Sequence, residues 1–106
     1  MTVYAEVDPV IDAWAHATVK KLFTEWVDQP ARFAYVPGLR PFECFQISID
    51  PPFNGRIAVS ARSIDTDDES EFDERWEGAT GALPILLEEA TAVVQKWVNR
   101  PTANGS

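Results

Sequence analysis

The stretch Cys44-Phe45-Gln46-Ile47-Ser48-Ile49-Asp50-Pro51-Pro52-Phe53-Asn54-Gly55-Arg56-Ile57-Ala58-Val59-Ser60-Ala61-Arg62 decides the fold. Phe45, Ile47 and Ile49 alternate with Cys44, Gln46 and Ser48, the period of two that a strand with one buried face requires. Asn54-Gly55 then supplies a turn pair that tolerates positive φ, and Ile57, Val59 and Ala61 resume the alternation against Ala58, Ser60 and Arg62. The result is an antiparallel hairpin. Its register is set by the larger residues, because a slip of one position would move Ile57 and Val59 off the buried face.

Working outward, Phe33 and Tyr35 alternate with Ala34 and Val36 before Pro37-Gly38 forces a turn, so a short strand precedes the hairpin. Upstream of it, Asp8-Pro9 reads as a helix start, with the carboxylate placed to cap and proline at the first helical position. Ile11, Trp14, Ala15, Thr18, Val19, Leu22, Phe23 and Trp26 then fall on one stripe at about 100° per residue. This periodicity predicts a helix running to about Asp28 and stopped by Gln29-Pro30.

Downstream, residues 64–77 are too polar and self-repelling to pack as a whole, although Phe72 and Trp76 are placed to anchor a fourth, edge strand. Gly78 and Gly81 form a joint before a second helix that starts near Leu83-Pro84. Its apolar stripe is Leu83, Leu86, Leu87, Ala90, Val93, Val94, Trp97 and Val98, with Lys96 and Arg100 suiting the negative end of the helix dipole. Pro101 ends it, and residues 101–106 are expected to be a disordered tail. The expected fold is therefore a single α+β domain over residues 1–100. It is a two-layer sandwich, a meander sheet of three to four antiparallel strands with both helices on one face, in the order α-β-β-β-(β)-α.

Composition narrows the function classes. A chain of 106 residues with 45% hydrophobic content suits one core and not two. The first ten residues carry no base and no signal-length apolar run, and nowhere do about 18 apolar residues follow one another, so a cytoplasmic, non-membrane protein is expected. One cysteine, Cys44, makes neither an internal disulfide nor a thiolate metal cage. A pI near 4.4 argues against nucleic acid or anionic lipid as partner.

The acidity is localised. Asp65, Asp67, Asp68, Glu69, Glu71, Asp73, Glu74 and Glu77 face a single base, Arg75, and so account for seven of the chain's net −8. The rest of the chain is close to neutral. A calcium loop would use Asp65, Asp67 and Glu69, but Ser70 stands where an EF-hand needs glycine and Trp76 where it needs the bidentate carboxylate. No metal or cofactor is expected. The run reads better as an attractor for a basic protein, with Phe72 and Trp76 beside the charges as binding aromatics or as plugs pinning the segment to the core.

Catalytic readings are thin. His16 and Cys44 are the only imidazole and thiol, and they are expected on different elements and different faces. Glu43, between Phe42 and Cys44-Phe45, is the one carboxylate with apolar neighbours, with strand alternation leaving its direction open. Trp14, Trp26 and Trp97 all fall on helical stripes and read as core. The turn from Tyr35 to Phe45, with Arg40, reads as an exposed contact point. In size, acidity and single-domain build the chain resembles the immunity and nuclease-inhibitor proteins of bacteria. The expectation is a small non-enzymatic binding protein, of inhibitor, antitoxin or immunity type. It engages a basic partner through Asp65, Asp67, Asp68, Glu69, Glu71, Phe72, Asp73, Glu74 and Trp76. The alternatives are a homodimeric scaffold or chaperone-like protein joined through its small-residue sheet face or an edge strand, and a small-ligand binder with a pocket between helices and sheet.

Overall fold

The computed structural model describes residues 3–18, 20–39, 43–64 and 72–100. It is an α+β fold, with one helix, a five-stranded antiparallel sheet and a C-terminal helix. The elements are α1 (Asp8–Ala17), β1 (Leu22–Trp26), β2 (Gln29–Pro37), β3 (Cys44–Ile49), β4 (Arg56–Ser63), β5 (Asp73–Ala79) and α2 (Leu83–Val98), the last entered through a 3-10 turn at Thr80–Ala82. The strands lie side by side in chain order, so the sheet is a plain meander with β1 and β5 at its edges.

The central hairpin forms as its alternation predicts. Ile47 lies opposite Ala61 and Ile49 opposite Val59, while Asn54 and Gly55 take φ of 53° and 75° in the turn. Phe45, Ile47, Ile49, Ile57, Val59 and Ala61 join Tyr4, Val7 and Ile11 at the α1 end and the α2 residues Leu83, Leu86, Leu87, Ala90, Val94 and Val98 in one buried cluster. The α2 stripe is thus as expected, and the helix starts at Leu83 with Pro84 in its first turn. The edge strand anchored by Phe72 and Trp76 is also present, as β5. Trp76 sits opposite Val59 and is half-buried against the core.

The first helix is much shorter than its periodicity predicts. It ends at Ala17, where the Thr18 hydroxyl donates to Trp14 O (2.7 Å) and the Lys20 amide donates to Ala15 O (2.8 Å), the six-to-one bond of a Schellman-type end. Leu22, Phe23 and Trp26 therefore belong to an additional strand, β1, which pairs with β2. The sheet has five strands where three to four were expected. Sheet pairing overrides the helical period here because a five-residue strand packed on β2 satisfies its backbone and buries Leu22 beside Ala34. The capping expectation fails too. Val7 occupies the N-cap position without a side-chain bond, and the Asp8 carboxylate instead receives Arg32, Nε at 2.7 Å and Nη2 at 3.1 Å. That pair ties α1 to β2, with the Arg32 guanidinium 4.5 Å from the Tyr4 ring centre. The expected C-terminal tail at 101–106 lies outside the described residues.

Candidate functional site

The acidic stretch begins where β4 ends and returns to the sheet as β5. Its base is closed by the Ser63 amide donating to Phe72 O at 2.9 Å. Asp65, Asp67, Asp68, Glu69 and Glu71 lie outside the described residues, as does Arg40 in the turn before β3. The remaining four site residues divide by side. Asp73 and Glu74 are exposed at the start of β5, opposite Arg62 and Ala61. Phe72 and Trp76 pack inward: Phe72 meets Phe45 edge-on at 5.7 Å and Trp97 at 5.5 Å between ring centres. These aromatics hold the returning strand to the core, and the carboxylates stay in water.

Arg75, the one base in the stretch, is engaged within the sheet. Its Nε donates to Glu77 Oε2 at 3.0 Å and its Nη2 lies 3.1 Å from Asp50 Oδ2. The Glu77 hydrogen bond, and then the Asp50 charge, hold its guanidinium above the ordinary arginine range. Asp73 and Glu74 form no ion pair with any described residue.

At the same end of the sheet sits a charged clasp, buried on its Glu43 side and half-buried at Arg100. Strand alternation left the direction of Glu43 open; it points inward, and its Oε2 receives Arg100 Nη2 at 2.6 Å. Arg100 also donates to Trp97 O (2.5 Å) and places its guanidinium 4.5 Å from the Phe72 ring centre. Gly38 is required below it, since a Cβ there would overlap the Glu43 carboxylate. The clasp joins the residue before β3, the residues just after α2 and Phe72, which precedes β5.

The other face of the sheet carries a feature that sequence reasoning missed. Phe23 stacks on Phe33 at 5.1 Å and 7° between planes, Trp26 meets Phe33 edge-on at 6.0 Å, and Tyr35 closes the group at 5.3 Å from Phe23. Trp26 is 62% exposed, so its reading as core is corrected. Trp14 and Trp97 do pack against the core. The aromatic group walls an open groove of about 400 Å³ whose floor is Gln46, Ser48 and Arg62. The helical stripe through Leu22, Phe23 and Trp26 concealed it, and a register shift between Phe23 and Glu25 breaks the strand alternation that would have placed Phe23 and Trp26 together.

The remaining candidates stand apart. His16 is exposed in the last turn of α1, while Cys44 is half-buried at the start of β3 with its Sγ 3.7 Å from Phe45 O. Among the described residues no three His, Cys, Asp or Glu side chains gather as a metal site. No helix of the described residues is long and apolar enough to cross a membrane. The chain matches no family model, no curated protein and no solved structure.

Proposed function

We propose that the chain is a cytoplasmic, non-enzymatic protein-binding domain that engages a basic partner through the acidic stretch from Asp65 to Glu77, in the manner of an inhibitor, antitoxin or immunity protein, and takes no nucleic acid. The observation that carries this reading is the start of β5. There an edge strand continues the acidic run with exposed Asp73 and Glu74, while the run's only base is already paired with Glu77 and Asp50. Such a cluster raises the encounter rate with a cationic surface and acts over a Debye length of about 8 Å at physiological salt. Phe72, packed under Arg100, gives the cluster a fixed base.

The test is capture from the source lysate at low salt, eluted with a salt gradient. A basic protein retained by the native chain and lost from a variant with Asp67, Asp68, Asp73 and Glu74 changed to Lys supports the reading. Equal retention by both proteins removes it.

A second reading is favoured by the aromatic group on the other face. An exposed Trp26 beside Phe33 and Tyr35 suits a homodimeric scaffold joined through the sheet. Light scattering decides it, since a monomer at high micromolar concentration leaves that face without a self-partner.

A further inference from the structure

The face of the sheet turned away from the helices is divided by strand. β1 and β2 carry its aromatic half and β3 and β4 its polar half, for Phe33 lies opposite Ser48, and Tyr35 opposite Gln46, which in turn lies opposite Arg62. The groove of about 400 Å³ crosses this boundary. At its aromatic end Trp26 and Tyr35 stand at 80° and 74° to the Phe33 ring, and Phe33 is itself held by its stack on Phe23. The polar groups that line it are uncommitted. The Trp26 indole N–H, the Tyr35 hydroxyl, Gln46, Ser48 and Arg62 make no side-chain hydrogen bond or ion pair with any described residue. Of the other bases along this face, Arg75 is held by Glu77 and Asp50, Lys21 lies 5.2 Å from the Phe23 ring centre, and Arg56 is at the opposite end of β4. Arg62 is thus the only charged side chain lining the groove, and Asp73, its cross-strand neighbour on β5, does not pair with it.

We propose that this groove is a binding site for a small aromatic carboxylate. The ring of the ligand lies against Trp26, Phe33 and Tyr35, and its carboxylate takes the Arg62 guanidinium, with Gln46 and Ser48 donating to the remaining lone pairs. The charge inside the groove decides the sign of the ligand. An unpaired guanidinium presents a planar fork that matches a carboxylate with two parallel hydrogen bonds. A cation, the other class that aromatic walls attract, would be set against Arg62. Size decides the rest. The volume falls at the lower end of the roughly 300–1,000 Å³ of small-molecule sites, which suits one or two rings. Tyr35 and Arg62 are two strands apart, about 10 Å, a distance that the long Arg62 side chain shortens, so that one short molecule carries both the ring and the carboxylate. The site does not rest on the basic-partner reading, and it competes with a dimer joined through the same face.

The test titrates naphthoate into the isotope-labelled protein at physiological salt, where repulsion by the adjoining acids is screened beyond about 8 Å. Naphthamide serves as the uncharged control and cyclohexanecarboxylate as the non-aromatic one. Amide and indole N–H shifts centred on Trp26, Tyr35, Gln46 and Arg62 are expected, with each control binding about tenfold more weakly than naphthoate. Arg62→Gln is expected to bring naphthoate down to the affinity of naphthamide and to leave naphthamide unchanged. Trp26→Ala is expected to weaken both naphthalene probes about fivefold. Both positions are exposed, so an unchanged melting temperature is expected for each variant. Should Arg62→Gln melt early, Arg62→Lys keeps the charge without the fork and is expected to weaken naphthoate about threefold. Equal affinity for naphthoate and naphthamide, shifts centred away from the groove, or no saturation by millimolar probe each overturn the site. A stable dimer that buries Trp26 overturns it as well, as does a proline-rich peptide that shifts these residues where naphthoate does not.

Discussion

Two hairpins in this sheet have the same turn geometry and opposite surroundings. In β3–β4 the turn residues are Asn54 and Gly55, at φ 53° and 75°; in β1–β2 they are Val27 and Asp28, at φ 50° and 63°. The first hairpin is central, with Ile47, Ile49, Ile57 and Val59 buried under the helices. The second is at the edge, and every residue from Thr24 to Pro30 is exposed. Asn and Gly enter the left-handed region at little cost, whereas a β-branched valine is strained there. A turn sequence that suits its geometry stands where the core already dictates the pairing, and the strained turn stands where little else holds the strands. What holds the edge hairpin is therefore elsewhere: Arg32, bound to Asp8 and to Thr24 O and Ala31 O, and the stacked Phe23 and Phe33.

The comparison breaks most visibly in the central hairpin. Phe45→Ala removes a ring that touches Phe72 and Trp97, and a loss of about 3–5 kcal/mol is expected in denaturant unfolding. Trp26→Ala, at the exposed edge, is expected to change stability by less than about 1 kcal/mol in the same assay. A hairpin contribution of equal size from both would refute the contrast. Next in size is Arg32→Ala, which leaves Asp8 without its guanidinium and frees two backbone carbonyls. A loss of about 3 kcal/mol is expected, with increased hydrogen exchange in β1 and the first half of β2 while β3 and β4 stay protected.

The turns give smaller effects of opposite sign. Val27→Asn relieves a valine in the left-handed region and is expected to stabilise by about 1 kcal/mol, whereas Asn54→Val introduces the same strain and destabilises by about 1–2 kcal/mol. Equal responses at the two sites would show that the β1–β2 turn is not strained. The smallest effect is a pH slope. Tyr4 donates to Ile49 O at 2.8 Å and lies under Arg32, so it touches both hairpins. Burial first, and then the nearby Asp50 charge, raise its phenol above the ordinary 10.0. A group whose pKa is higher in the folded state contributes its full stability below the unfolded value and loses it as pH rises through the folded one. Stability is therefore expected to fall above pH 10, and Tyr4→Phe to remove that part of the slope.

The same contrast explains what the sequence made legible. Alternation from Cys44 to Arg62 and the Asn54-Gly55 pair agree with each other, so the central hairpin could be read directly. At the edge the signals conflict. Ile11, Trp14, Thr18, Leu22 and Trp26 keep a helical spacing across a real helix end, and Val27-Asp28 carries no turn signature, so a strand was read as the end of a helix. The aromatic group depends on that misread strand and was missed with it. The acidic run was visible as composition, since charge needs no fold to be counted. The inward turn of Phe72 and Trp76 and the Glu43–Arg100 clasp needed the three-dimensional pairing of β3, β5 and the end of α2.

The meander order has a consequence for how the chain reaches this structure. Each strand pairs with the next one along the chain, so the sheet can zip up hairpin by hairpin, each step closing only a short loop. The most distant side-chain bonds among the described residues reach α2 and the residues just after it: Trp14 to Thr91 across 77 positions, and Glu43 to Arg100 across 57. Those bonds require the end of α2, so a chain in which α2 has not yet docked holds a sheet whose apolar face is covered in part only, by the residues from Tyr4 to Ile11.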